Sequence, residues 1–118
     1  MFLERLSRIS NSIDGALALS LVGKDGMPVE SVSSDPDVDI EVLAAELVAQ
    51  VKAISDQQRE LAVGEVQHFA VTTDIRTLMV TKVADGFYLL LVLDKDGSYG
   101  RARFELRRAR LLFENDLS

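Results

Sequence analysis

One histidine and no cysteine occur in the chain, so nucleophilic or metal chemistry has few carriers. His68 could act as a general base. That role needs a nucleophile and an orienting carboxylate, and neither is identifiable around Val66-Gln67-His68-Phe69-Ala70-Val71. His68 therefore reads as a strand residue. A zinc site of the usual nitrogen and sulfur ligands cannot be assembled from one histidine. Asp94-Lys95-Asp96-Gly97-Ser98 opens like a calcium loop, with Glu105 at the twelfth position. The loop needs glycine at its sixth position, where Tyr99 stands, and a helix before it, where a strand is expected. Gly23-Lys24 resembles the end of a phosphate-binding loop. Ala18 stands where that loop needs its upstream glycine, and Asp25 replaces the hydroxyl residue that would reach magnesium.

Two charged groupings remain. Asp35, Asp37, Asp39 and Glu41 could bind a metal, but acids at a helix start are accounted for by the helix dipole. Arg103, Arg107 and Arg110 form a basic stripe, with Arg101 and Arg108 nearby. It reads either as a solvated helix face or as a docking surface for an acidic partner or anionic membrane. No catalytic, metal-binding or cofactor-binding constellation emerges, so a non-enzymatic protein is expected.

The whole chain sets the limits. Its 118 residues suggest one domain, 1–118, able to bury about two-thirds of its unfolded surface without a staple. A 47% hydrophobic content fits a globular fold. The absence of cysteine fits a reducing cytoplasm. No apolar run approaches the ~18 residues of a membrane span, and the N-terminus does not read as a signal peptide. A net charge of −6 disfavours nucleic acid. The charge is uneven: the last 18 residues carry 5 arginines against 3 acids, on an otherwise acidic body.

The elements that would position these residues follow from periodicity. Phe2, Leu6, Ile9 and Ile13 predict a short helix over 2–13, ended by Asp14-Gly15. Residues 16–22 and 27–33 predict a hairpin, whose second strand is edge-like because it holds Pro28 and Glu30. Asp35-Pro36 predicts the start of a long helix running to about Val63, closed by Gly64. Its main stripe is Ile40, Leu43, Ala44, Leu47, Val48, Val51 and Ile54. Beside it lies a second stripe of smaller residues, Val42, Ala45, Ala49 and Ala53. That second stripe reads either as a broad contact face of a buried helix or as a surface packing on another helix. Strands are predicted over 66–73, 75–83 and 87–93. The last, Phe-Tyr-Leu-Leu-Leu-Val-Leu between Asp-Gly turns, is apolar on both faces and belongs inside the sheet. A final helix runs from Ser98 to about Glu114, with Asn115 to Ser118 expected to fray.

These elements predict an α+β fold of three α/β/α layers. A five-stranded antiparallel sheet of order 2-1-5-4-3 has one long helix on one face and two shorter helices on the other. The third strand is then an edge without lysine, proline or acid, a liability unless something pairs with it.

The segments Gly86-Phe87-Tyr88-Leu89-Leu90-Leu91-Val92-Leu93-Asp94 and Gly100-Arg101-Ala102-Arg103-Phe104-Glu105-Leu106-Arg107-Arg108-Ala109 resemble the Roadblock/dynein light chain family, above all its bacterial members. The hairpin Leu21-Val22-Gly23-Lys24-Asp25-Gly26-Met27-Pro28-Val29 is similar to the family's first hairpin, and the resemblance covers nearly the whole chain. It implies a profilin-like architecture and a homodimer in which long helices pair and third strands join. Val42, Ala45, Ala49, Ala53, Gln67, His68, Phe69 and Val71 would then line the interface, apart from the Arg103, Arg107 and Arg110 stripe, whose two readings the resemblance leaves as they stand. It further implies a non-catalytic regulator or scaffold of a Ras-like small GTPase, of which the gliding-motility GTPase-activating protein is the bacterial type. The alternative is an adaptor in a protein complex without a GTPase.

Overall fold

A computed structural model describes residues 2–117, with side chains described through Asn115. In chain order its elements are α1 (Phe2–Asn11), β1 (Ala16–Gly23), β2 (Pro28–Ser33), α2 (Ile40–Leu61), β3 (His68–Thr72), β4 (Arg76–Ala84), β5 (Phe87–Asp94) and α3 (Tyr99–Leu117). The sheet has the order β2-β1-β5-β4-β3, and every neighbouring pair is antiparallel. This is the expected three-layer α+β fold.

Strand β5 organises the packing because its two faces serve different layers. Leu89, Leu91 and Leu93 join Leu19, Leu21 and Met79 beneath α1 and α3, which contribute Leu6, Ile9, Ala102, Leu106, Ala109 and Phe113. The Phe2 and Phe113 rings stack at 5.8 Å, tying α1 to α3. On the opposite face Leu90 joins Val22 and Val80 beneath Ala44, Leu47, Val48 and Val51 of α2. Each such leucine removed from water contributes about 1.5–3 kcal/mol. The buried hydroxyl of Ser20 is satisfied within the sheet, its Oγ lying 2.7 Å from Ser31 Oγ and 3.2 Å from the Glu30 carbonyl.

Several boundaries differ from the sequence expectation, each for a local reason. Helix α2 starts at Ile40, not at Asp35-Pro36. Asp39 is its cap, accepting a hydrogen bond from the Val42 N–H at 3.2 Å. Asp35 instead accepts one from the Asp37 N–H at 2.9 Å, which makes a turn. At its other end α2 closes on Ala62, not Gly64. Ala62 is left-handed at φ 56, ψ 35, and the N–H groups of Ala62 and Val63 donate to the carbonyls of Arg59 and Gln58. These are the paired bonds of a Schellman motif. Strand β3 begins at His68 rather than Val66, although the Gln67 carbonyl still accepts from Lys82 N–H at 3.0 Å. Helix α3 continues through Asn115–Leu117, where fraying was expected. Ser118 lies outside the described residues.

Candidate functional site

The residues that looked chemical are used by the fold. Asp94 and Gly97 close a tight turn, with Gly97 N–H donating to the Asp94 carbonyl at 2.9 Å. Asp94 Oδ1 accepts from Lys95 N–H. Glu105, the would-be twelfth ligand, is only 5% exposed and sits 2.9 Å from Arg101 and 3.5 Å from Arg108. Asp35 pairs with Arg76 at 3.2 Å, which ties the loop before α2 to β4. Among the described residues no three His, Cys, Asp or Glu side chains converge as a metal site. An open cleft of about 710 Å³ lies at the end of α2, lined by Lys24, Lys52, Arg59 and Lys82 together with Asp56, Glu65 and Asp85. Four of its charges pair with each other, Arg59 with Asp56 at 3.1 Å and Lys82 with Glu65 at 2.8 Å. The Lys82 ammonium holds the Glu65 carboxyl below its ordinary value by hydrogen bond and by charge.

Two exposed faces remain as candidates for interaction. On α2 the main stripe turns to the sheet and is buried at Ala44, Leu47, Val48 and Val51. The second stripe turns outward: Val42 is 55% exposed, and Ala45, Ala49 and Ala53 are exposed. An apolar groove of about 340 Å³ continues from Val42 past Leu43 to Ile75 and Leu78. Beside this face β3 pairs with β4 on one side and is the last strand of the sheet on the other. Strand alternation divides its residues. Phe69 packs against the α2 cluster, with Val71 on the same face, while Ala70 packs against the α3 cluster. Phe69 is therefore partly core. Gln67, ahead of the strand, is exposed.

His68 projects to the α3 side, where its Nδ1 lies 2.7 Å from Thr81 Oγ1. Its Nε2 is buried and has no hydrogen-bond partner among the described residues. Burial, and then the charges of Arg103 and Arg107, lower its pKa to about 4. The one hydroxyl it touches, that of Thr81, is only 6% exposed, so the pair reads as a hydrogen bond across the β3–β4 ladder rather than as a base and its nucleophile.

The arginine stripe divides in the structure. Arg103 and Arg110 are half-buried on the flank of α3, and Arg110 is held by Glu114 at 3.2 Å, while Arg107 is exposed. The outermost residues are different ones: Phe104 at 54% exposure and Leu111 at 64%, with Arg101 and Arg108 beside them. Reading the arginines at steps of three and four missed this face. Its signal was the apolar spacing of Phe104 and Leu111, out of phase with the buried stripe at Ala102, Leu106, Ala109 and Phe113.

No protein-family model matches the chain, and no curated protein matches it in sequence. Solved structures do. A Roadblock/LC7 domain from Streptomyces avermitilis superposes with a TM-score of 0.83 at 18% identity, covering 93% of this chain and 92% of that one. MglB in a tetrameric arrangement gives 0.85 at 18%, covering 96% and 88%. MglC from Myxococcus xanthus gives 0.72 at 26%, covering 99% and 100%. The fold is thus that of Roadblock/LC7 domains, the family the sequence resembles.

Proposed function

We propose that this chain is a non-catalytic homodimeric regulator or scaffold of a Ras-like small GTPase, acting in the cytoplasm through paired α2 helices. The observation that carries the dimer is the outward stripe of Val42, Ala45, Ala49 and Ala53 beside the open edge of β3. Small side chains let a second helix approach closely, and an uncharged edge strand is stable when a second copy extends it. Gln67, His68, Phe69 and Val71 would lie at that junction. An MglB neighbour in a tetrameric arrangement supports self-association. The GTPase link rests on the likeness to MglB structures and on the resemblance to a family whose bacterial members regulate such enzymes. Any effect on hydrolysis would come from reshaping the GTPase's own site, as the family resemblance implies for its bacterial members.

The second reading, an adaptor without a GTPase, is the alternative that the family resemblance leaves, and the chain also superposes on MglC over 100% of that chain. Incubation with the Ras-like GTPase encoded nearest to this gene, loaded with GTP, separates the two. Binding with altered hydrolysis supports the regulator. No binding and unchanged hydrolysis would leave the adaptor.

A further inference from the structure

The outer face of α3 lies in the layer opposite α2 and takes no part in the core. Phe104 sits at its centre. The guanidinium of Arg101 is 5.8 Å and that of Arg108 5.9 Å from the Phe104 ring centroid. Both arginines also reach the same buried carboxylate, Glu105, at 2.9 and 3.5 Å. Ring and carboxylate together fix two long side chains that would otherwise be mobile. Arg107 adds a third guanidinium to the face, exposed and without an ion pair among the described residues. Arg101 and Arg108 thus share one carboxylate while Arg107 has none, and most of the N–H donors of the three remain open to a further acceptor. Leu111 and Leu112, 64% and 51% exposed, extend the apolar surface along the helix from Phe104.

Apolar residues framed by pre-positioned, under-neutralised arginines fit a ligand of matching form. We propose that this face docks an acidic amphipathic segment of a partner protein, its apolar stripe on Phe104 and Leu111 and its carboxylates on Arg101, Arg107 and Arg108. Charge complementarity selects this occupant. Guanidinium forks pair with carboxylates bidentately. An anionic membrane fits less well, because an extended surface brings its charge against the whole acidic body, net −6, whereas a single peptide helix meets only the arginine face. A second copy is already assigned to the α2 face, and self-association through α3 is one of the outcomes of the test.

The test uses the full chain and a labelled synthetic helical peptide. Its leucines are spaced at helix intervals and flanked by glutamates, and its control replaces each glutamate by glutamine. Fluorescence anisotropy should show the acidic peptide binding at least about tenfold tighter than the control at low salt, with the difference shrinking as salt rises. Amide NMR shifts should fall on the outer face of α3. Phe104→Ser and Arg107→Glu disturb neither the core nor the Glu105 pairs. Each should weaken binding about tenfold while leaving the melting temperature and the oligomeric state unchanged. Equal binding of both peptides, shifts on α2, or indifference to both substitutions would overturn the proposal. So would binding to phosphatidylglycerol vesicles without binding to the peptide, or a change of self-association on Phe104→Ser. Ala45→Glu on α2 should leave peptide binding intact, which separates this face from the proposed dimer face.

Discussion

His68 and Thr81 are partners across the β3–β4 ladder, with the imidazole Nδ1 2.7 Å from the threonine Oγ1 and the other ring nitrogen enclosed without a partner. This pair sits on the strand that ends the sheet, under the flank of α3 that carries Arg103 and Arg107. The positive charges and the burial act in the same direction, against a proton.

A pH dependence follows. The ordinary histidine pKa is 6.5, and in the folded chain that of His68 is lowered to about 4. Between those values the unfolded chain holds a proton that the folded chain does not, so stability falls as pH drops through this window. Above pH 6.5 the contribution is fully present, and below about pH 4 no more is lost. Because the ring is only partly buried, solvent screening reduces the loss to about 1–2 kcal/mol. Urea unfolding of wild type and His68→Gln above pH 7 and near pH 5 checks it. The difference between the two proteins should change by a little over half of that amount, since pH 5 lies partway through the window, and a difference independent of pH would defeat the assignment.

Ala62 gives a second prediction. It closes α2 in the left-handed region at φ 56, where a Cβ costs about 1–2 kcal/mol. Ala62→Gly removes that strain but adds freedom to the unfolded chain. The expected net is a stabilisation of about 0.5–1 kcal/mol, read as a rise in the denaturant midpoint. A lower midpoint would contradict it.

The legible and illegible parts of this fold have physical causes. Strand order was readable because Phe87–Leu93 is apolar at both parities while β2 holds Pro28 and Glu30, so centre and edge differ in composition. The α2 start was not readable, because Asp35-Pro36 and Asp39 are both good cap chemistry, and only the turn closed by Asp35 decides between them. Its end was misplaced because alanine rarely takes the left-handed conformation. The outward set at Val42, Ala45, Ala49 and Ala53 was visible as a second stripe. What could not be read was that Phe69 serves the core, since a strand's parity does not say which layer it meets. Glu105 was misleading for a related reason: its sequence position suggested a ligand, but helix geometry gives its carboxylate to Arg101 and Arg108.

The division between edge and core also sets how the dimer is tested. Phe69→Asp would place a charge against the α2 cluster and destabilise the monomer itself, so loss of association there is ambiguous. Ala45→Glu and Ala49→Glu lie on the exposed stripe, and Ala49→Glu is the cleaner of the two because Ala45 backs onto the buried Gly26. Each should keep the melting temperature within about 0.5 kcal/mol equivalent of wild type or lower it only through lost association. Light scattering should show a monomer where wild type is a dimer at micromolar concentration. A wild-type monomer under the same conditions would remove the proposed dimer, and with it docking through paired α2 helices.

Gly97 carries the last prediction, and it concerns the turn that looked like a calcium loop. A Cβ on Gly97 would lie 2.6 Å from Leu93 Cδ1, 2.7 Å from Leu93 Cγ and 3.1 Å from the Asp14 carbonyl oxygen. From the other side, a Cβ on Gly15 would stand 2.7 Å from the Gly97 Cα, and Gly15 itself has φ 86. The turn after α1 and the turn before α3 therefore meet backbone to backbone, joined by the Asp94 N–H to Gly15 carbonyl bond at 2.8 Å. Glycine at 97 is a packing requirement rather than part of an ion site. Gly97→Ala should push Leu93 from the α1–α3 core and cost about 1–3 kcal/mol as overpacking. Asp96→Asn, an exposed neighbour that a calcium loop would need, should leave stability within about 0.5 kcal/mol. Calcium should shift the melting temperature of neither wild type nor variant. A calcium-dependent rise in wild type that Asp96→Asn abolishes would restore the ion-site reading of this turn.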